Sequence, residues 1–146
     1  MNQVSDLIKA FFEDFERASN LFEQDLLASQ FSDPFMAADP HGGIQVVKKE
    51  HFLAGIAQRQ SFFHAIGFRG VKIVPFEETR LDQHYVIVKA HGSMRFEKTA
   101  GQPIDVNSDS VYILFIQDHS AKVVFQLTHE DLMKIMQEHD LLPGKP

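Results

Sequence analysis

Four long segments of alternating apolar and polar residues fill the second half of the chain and constrain its fold more than any other feature. Alternation with a period of two is typical of a β-strand with one buried face, and short turns pair consecutive strands antiparallel. We therefore predict a meander of three hairpins, in which Pro75 marks a bulge or bend because it cannot donate a ladder hydrogen bond. The four predicted strands cover residues 71–80, 85–97, 104–116 and 122–127.

The first half of the chain has helical spacing instead. A stripe of apolar residues predicts a first helix from Ser5, which we expect to cap it, and Gly67 is placed to end a third helix. Helices followed by an antiparallel meander indicate an α+β fold, with the helices packed on one sheet face. Further helices are predicted over 20–29, 48–65 and 129–139, and short strands over 31–38 and 44–47.

The composition favours a dry interior and limits the classes of partner. The chain contains 14 Phe, two Tyr and no Trp, so its aromatic residues supply bulk with few hydrogen bonds. The absence of Cys excludes disulfides and thiolate metal sites. A net charge of -6, with no basic run, argues against a nucleic-acid partner. No apolar stretch is long enough to span a membrane and no leader pattern is visible, so we expect no membrane partner and a cytoplasmic location.

One carboxylate, Asp39, stands between the apolar strand 31–38 and the turn at 40–43. An acid at this place has two interpretations. It can hydrogen-bond the backbone of the following turn. It can instead face an apolar pocket, where desolvation favours its protonated form and makes it a stronger general base.

The order of these elements resembles the nuclear-transport-factor-2-like superfamily, which includes ketosteroid isomerase and the polyketide cyclases. The resemblance rests on the Phe-rich first helix, the strand ending in Asp39 and Pro40, the long hairpins and the segment 121–124 that enters the last strand. It extends over nearly the whole chain and implies one domain over residues 1–146. The implied fold is a cone-shaped half-barrel, in which helices pack in the concave face of a strongly curved antiparallel sheet around a hydrophobic pocket.

The resemblance also implies a role for Asp39, since an Asp followed by Pro at this strand end is the general base of ketosteroid isomerases. The oxyanion partners of that enzyme are missing here. The first helix has Phe11, Phe12 and Phe15 where a Tyr is expected, and Asp109 lies too near the start of its strand to supply the second acid. Two hypotheses therefore stand: an isomerase, cyclase or hydrolase-like enzyme with Asp39 as base, or a non-catalytic ligand-binding or dimerisation module.

Other polar residues are weaker candidates. His64, near the end of the third helix, and His129, after the last strand, are each candidates for a proton carrier or for a side chain that meets water or a helix terminus. The eight His residues show no ligand spacing, so we predict no metal site and no cofactor. We expect Arg59 to be a surface or rim ion-pair residue, together with Glu77, Glu78 and Arg80.

The pocket is expected to hold a small apolar or aromatic molecule. In the third helix, Phe52, Ile56, Gln60 and Phe63 are predicted to lie along one side. The strand around Tyr112 is apolar on both faces, which predicts a homodimer through the outer face of the sheet. The residues predicted to line the pocket are Phe12, Phe15, Phe35, Phe63, Met94, Tyr112, Phe115 and Phe125.

Overall fold

Four helices and one six-stranded sheet make up residues 4–128 and 132–139, which are the residues described by the computed structural model. The sheet is curled but not closed, and the helices pack in its concave face, so the predicted α+β cone is confirmed. No helix in these residues combines the length and hydropathy needed to cross a membrane. The elements are α1 Asp6–Leu21, α2 Gln24–Ser29, β1 Phe31–Ala38, β2 Ile44–Val47, α3 Lys49–Ala65, β3 Phe68–Arg80, β4 Tyr85–Thr99, β5 Gln102–Gln117, β6 Ser120–Thr128 and α4 Leu132–Glu138.

The strands follow the order β2-β1-β6-β5-β4-β3. The pairs β3–β4, β4–β5 and β5–β6 are antiparallel, which confirms the predicted meander. The prediction of a wholly antiparallel sheet was wrong in one place, because β1 pairs with β6 in parallel. A parallel pair needs a long crossover connection, and the chain between β1 and β6 is most of the fold. Pairing of β1 with β6 therefore adds the β1–β2 hairpin to the far edge of the meander.

The phenylalanines of α1 form the centre of the hydrophobic core. Phe12 has no exposed surface, and its ring lies 5.2 Å from that of Phe11 and 5.3 Å from that of Tyr112 on β5. Both pairs are edge-on, the arrangement that aromatic quadrupoles favour. Val86 and Val88 of β4 are also fully buried, as their period-two alternation predicted. Packing of α1 on the inner face of the long strands therefore holds helix and sheet together.

The start of α1 and the whole of α2 differ from the prediction. Ser5 occupies the N-cap position, but its side chain makes no capping bond, and its N–H donates instead to the carboxylate of Glu78 at 2.9 Å. Phe22 adopts a left-handed conformation, with φ of 51°, and ends α1. Because α1 runs on to Leu21, the second helix is only Gln24–Ser29, and Leu21 is 59% exposed instead of buried.

Two backbone irregularities shape the long strands. The register between β3 and β4 shifts between Pro75 and Glu77, which confirms the bulge predicted at the proline. Gly67 follows α3 with φ of +80°, and a Cβ at this position would lie 2.5 Å from the carbonyl oxygen of Glu97. Only glycine fits such a turn against a neighbouring strand, so the third helix ends where the sequence predicted.

A continuous row of apolar residues crosses the outer face of the sheet. The two residues at the β2–β1 side of this row are strongly exposed, Val46 at 62% and Met36 at 42%. The others are half-buried, because neighbouring side chains of the same face cover part of each. The outer apolar row consists, in strand order, of Val46, Met36, Phe125, Ile113 and Ile87.

Candidate functional site

A cavity of about 800 Å³ lies between the inner face of the sheet and the helices. Its wall is largely apolar and includes eight phenylalanines, and it extends to Asp39 and Gly43 at the β1–β2 turn, which are both exposed. Helix α3 and the long strands contribute opposite sides of this wall. A concave, mostly apolar space of this size is typical of a site for a small organic molecule.

The structure brings five of the predicted pocket residues to the cavity. Phe15 of α1, Phe35 of β1, Phe63 of α3, Met94 of β4 and Tyr112 of β5 all border it. They come from five different elements, so the wall exists only in the folded chain.

Three of the predicted pocket residues lie elsewhere. Phe125 is opposite Ile113 in the β5–β6 ladder and so takes the outer face of the sheet. Phe115 also lies on that face, where its ring stacks on His84 at 5.4 Å. Phe12 is on the inner side but is buried between its neighbours in the core. The positions of Phe115 and Phe125 follow from the register of the strands. Odd-numbered residues of β5 point away from Tyr112, and Phe125 on β6 is paired with one of them, Ile113.

Asp39 borders the cavity at its open end, and its carboxylate organises the turn that follows. One oxygen, Oδ1, accepts hydrogen bonds from the backbone N–H groups of His41 at 2.8 Å and Gly43 at 2.9 Å. The side chain is exposed to solvent. A Cβ at position 43 would lie 2.5 Å from Asp39 Oδ2, so a larger residue there would displace this carboxylate. The geometry is that of an acid that hydrogen-bonds its own turn.

The histidine candidates do not form a site with Asp39 in the described residues. His64 is exposed near the end of α3, and its ring lies 6.0 Å from that of Phe22. His129 lies outside the described residues. Across residues 4–128 and 132–139, no group of three His, Asp or Glu side chains is arranged to hold a metal ion.

Arg59 is a cavity residue that the sequence did not identify as one. It was expected to be a surface or rim ion-pair residue, and the structure finds it exposed and bordering the cavity, with no ion pair among the described residues. Its helix position contains the signal: Phe52, Ile56, Arg59 and Phe63 are spaced by four, three and four residues, which is one face of a helix. The predicted stripe contained Gln60 in its place.

The side chain of Arg59 is exposed to solvent, although many protein atoms lie around it. Both observations fit a group on the wall of an open cavity, where water screens its charge. Partial desolvation lowers the pKa of Arg59 from its ordinary value. In the part of the chain that the structure describes, no carboxylate pairs with the guanidinium. Arginine stays protonated in proteins, so among the described residues the cavity wall carries a positive charge with no opposite charge beside it.

Tyr112 provides a buried hydroxyl on the opposite side of the same cavity. Burial raises the pKa of Tyr112 to about 12, although a hydrogen bond with Ser110 and the positive charge of Arg59 both act to lower it. A pKa above the ordinary value of 10 keeps the phenol neutral at physiological pH. Tyr112 is therefore a hydrogen-bond donor in this cavity and not a base.

Tyr112 belongs to a polar strip on the inner face of β5 and β6. In the ladder Tyr112 is opposite Gln126, and Ser110 is opposite Thr128. With Ser108, these side chains all border the cavity. Residues 108, 110 and 112 are spaced by two along β5, so they lie on one face of the sheet. The polar strip lies within an apolar wall, and such groups fix the orientation of a bound molecule.

Replacing Arg59 by methionine is expected to stabilise the fold. Methionine keeps the length of the side chain and removes a charge that has no partner among the described residues. Because the guanidinium is exposed to water, the gain is discounted to at most about 1 kcal/mol, or a rise in Tm of at most roughly 2–4 °C for a domain of this size. Differential scanning calorimetry of the wild type and the variant measures this change in Tm.

Arg17→Met is the matched control, because Arg17 is exposed and its ion pair with Asp14 lies on the surface of α1. Its effect is expected to stay within about 0.5 kcal/mol. A fall of several degrees for Arg59→Met would contradict the prediction, because it would mean that the guanidinium makes a stabilising contact.

Comparison with solved structures identifies the fold. An NTF-2-like protein of unknown function from Shewanella oneidensis MR-1 is 14% identical, with a TM-score of 0.68, over 84% of this chain and 96% of that one. A domain of unknown function with a cystatin-like fold from Nostoc punctiforme PCC 73102 is also 14% identical, with a TM-score of 0.66, over 94% of this chain and 85% of that one.

A third neighbour contains a ligand. It is a hypothetical protein with a ketosteroid-isomerase-like fold from Catenulispora acidiphila DSM 44928, in complex with trimethylamine. It is 12% identical, with a TM-score of 0.59, over 99% of this chain and 100% of that one. No protein-family model matches the sequence, and no curated protein does. At these identities the likeness shows the fold alone: the chain has the nuclear-transport-factor-2-like, cystatin-like cone fold.

Proposed function

We propose that this protein binds a small, largely apolar molecule in the cavity between α3 and the long strands. The observation that carries the proposal is the cavity itself, about 800 Å³ with a Phe-rich wall and a few polar groups. A protein interior is normally packed without voids larger than water, so a space of this size has a functional reason. Phe15, Phe35, Phe63, Met94 and Tyr112 are the proposed ligand-binding residues.

The neighbour from Catenulispora acidiphila supports the idea that this fold can hold a small organic molecule. Aromatic walls favour a ligand with a flat or ring-shaped apolar body, because ring faces and edges pack well against one another. The ligand of this chain is therefore proposed to be aromatic or cyclic, with polar groups at the end that meets the polar strip.

Filling the cavity from α3 is expected to weaken binding without damage to the fold. Gly55 borders the cavity, and an added Cβ there meets no atom within 4 Å, so Gly55→Phe places a ring in the open space. Glycine inside a helix costs about 1 kcal/mol relative to alanine, and phenylalanine costs less than glycine, so the substitution also favours the helix. We expect the Kd of the neutral dye N-phenyl-1-naphthylamine to rise at least about tenfold in a fluorescence titration, because the added ring occupies space that the dye would fill.

Ala57→Phe is the control, because Ala57 is exposed on the same helix, and it should leave the Kd unchanged. Equal binding of the dye by the wild type, Gly55→Phe and Ala57→Phe would show that the dye binds elsewhere. The proposal would then fail, as it would if the wild-type protein bound no dye.

A proton-transfer enzyme with Asp39 as general base is the second candidate. The observation in its favour is that Asp39 borders the cavity. The two backbone hydrogen bonds to Oδ1 favour the alternative, in which the carboxylate stabilises the turn that follows it. Among the described residues, no second acid borders the cavity to act as a partner. We therefore propose binding without base catalysis by Asp39.

Deuterium exchange separates these two functions. The apolar ketone 2-tetralone has acidic C–H groups next to its carbonyl, and a general base in the cavity would speed their exchange in D₂O. We expect no acceleration above buffer by the wild type, measured by proton NMR. Acceleration that disappears in Asp39→Asn, with 2-tetralone still bound, would establish Asp39 as a base and overturn the proposal.

We also propose that two copies of the chain associate through the outer face of the sheet. The outer apolar row crosses five strands, and its exposed end at Val46 and Met36 continues to Ile44, which is 63% exposed. Exposed apolar area of this extent is typical of an interaction surface. A twofold axis through the row would bury the same residues twice, so a second copy is the simplest partner.

Met36→Glu is expected to turn the dimer into a monomer. Met36 is 42% exposed in the single chain, so the charge remains solvated in the monomer but would be buried at the interface. Leu21→Glu is the control, because Leu21 is 59% exposed on α1, away from the outer face. Light scattering at micromolar concentration should give a dimer for the wild type and for Leu21→Glu. A monomeric wild type would exclude this interface.

A further inference from the structure

The charges around the cavity are unequal, and this inequality indicates the chemistry of the ligand. Arg59 borders the cavity, with no carboxylate beside it in residues 4–128 and 132–139. Among those residues Asp39 is the only acid that borders the cavity, and it lies at the solvent-exposed turn. A positive charge at the wall of an apolar cavity favours an anionic group on the ligand over a neutral or cationic one.

We propose that the ligand is an apolar carboxylic acid, bound as its carboxylate by the guanidinium of Arg59 and the hydroxyl of Tyr112. This inference rests on the proposed function and adds the ligand class to it. The aromatic wall would hold the apolar body, and the carboxylate would lie between α3 and the polar strip. Arg59 and Tyr112 are thereby assigned as specificity-determining residues, a role that Arg59 was not given from the sequence.

The shape of the guanidinium favours a carboxylate over other groups. Its planar fork of N–H donors matches two oxygens in one plane, and charge-assisted pairs of this kind are about twice as strong as neutral hydrogen bonds. A phosphate monoester would also fit the fork, but it is close to doubly charged at neutral pH. Arg59 is the only Lys or Arg that borders the cavity among the described residues, so the second negative charge would remain uncompensated beside an apolar wall. A singly charged carboxylate balances Arg59.

Tyr112 has the right protonation state for a second donor. Its burial keeps the phenol neutral, so its O–H proton is available to an acceptor. A side-chain hydrogen bond with Ser110 acts in the opposite direction and lowers the pKa of Tyr112, but burial is the larger effect.

A matched series of naphthalene probes tests this inference by titration calorimetry at pH 7. The probes 2-naphthoate, 2-naphthamide and 2-naphthyl phosphate share one aromatic body and differ in charge and shape at one end. We expect 2-naphthoate to bind the wild type roughly 10–100-fold more tightly than the neutral amide, the usual difference for hydrogen bonds to a charged group. The phosphate is expected to bind more weakly than 2-naphthoate.

Two variants locate the effect. Arg59→Met should reduce the affinity for 2-naphthoate to that for 2-naphthamide and leave amide binding within about threefold, because the apolar wall is intact. Tyr112→Phe keeps the ring that packs against Phe12 and Phe15 and should weaken 2-naphthoate binding severalfold. Bound amide in both variants, together with a cooperative melting transition, shows that they are folded.

The outcomes separate this inference from the proposed function. If the wild type binds 2-naphthoate and 2-naphthamide equally, or if Arg59→Met retains the preference for the acid, the carboxylate inference is wrong and the apolar cavity still binds ligands. Tighter binding of 2-naphthyl phosphate would replace the carboxylate by a phosphate ester as the ligand class. If no member of the series binds, the proposed function fails and this inference fails with it.

Discussion

The packing of α1 on the inner face of the long strands determines where the cavity can exist. Phe12 packs edge-on against Tyr112, with ring centroids 5.3 Å apart, and both side chains are buried. The helix therefore closes one part of the concave face, while α3 borders the remaining part at a distance. A fold whose helices all packed as closely as α1 would have a core and no cavity. The difference between the two helices is thus the physical origin of the site.

Side-chain composition explains this difference. In α1 the apolar stripe is continuous, and five of its residues are buried: Ile8, Phe11, Phe12, Phe15 and Ala18. In α3 only Ile56 is buried, although the helix is 17 residues long and contains three phenylalanines. Gly55 and Arg59 interrupt its inward face, one by leaving space and the other by introducing a charge. Helix α3 is therefore suited to border a cavity and not to fill one.

Sequence reasoning predicted the secondary structure well and the site only in part. Period-two alternation located all four long strands and the bulge at Pro75, because burial of one sheet face leaves a regular signal. It could not predict the parallel pairing of β1 with β6, which depends on contacts distant in sequence. Phe115 and Phe125 were placed in the pocket because residue type does not show which of two apolar faces is inside.

Arg59 shows why the site was harder to predict than the fold. Prediction of a fold relies on apolar side chains at buried positions and polar side chains at exposed ones. A binding residue is often a polar or charged side chain among apolar neighbours, where an apolar residue would make the fold more stable. The stripe predicted for α3 contained Gln60, and Arg59 was expected at the surface or the rim. The positions of Ile56 and Phe63 nevertheless fix the orientation of Arg59, since three residues and four residues separate it from them on one helix face. An ionisable residue at such a position, opposite a polar strip of alternating residues, is a signal of a binding cavity that spacing alone can reveal.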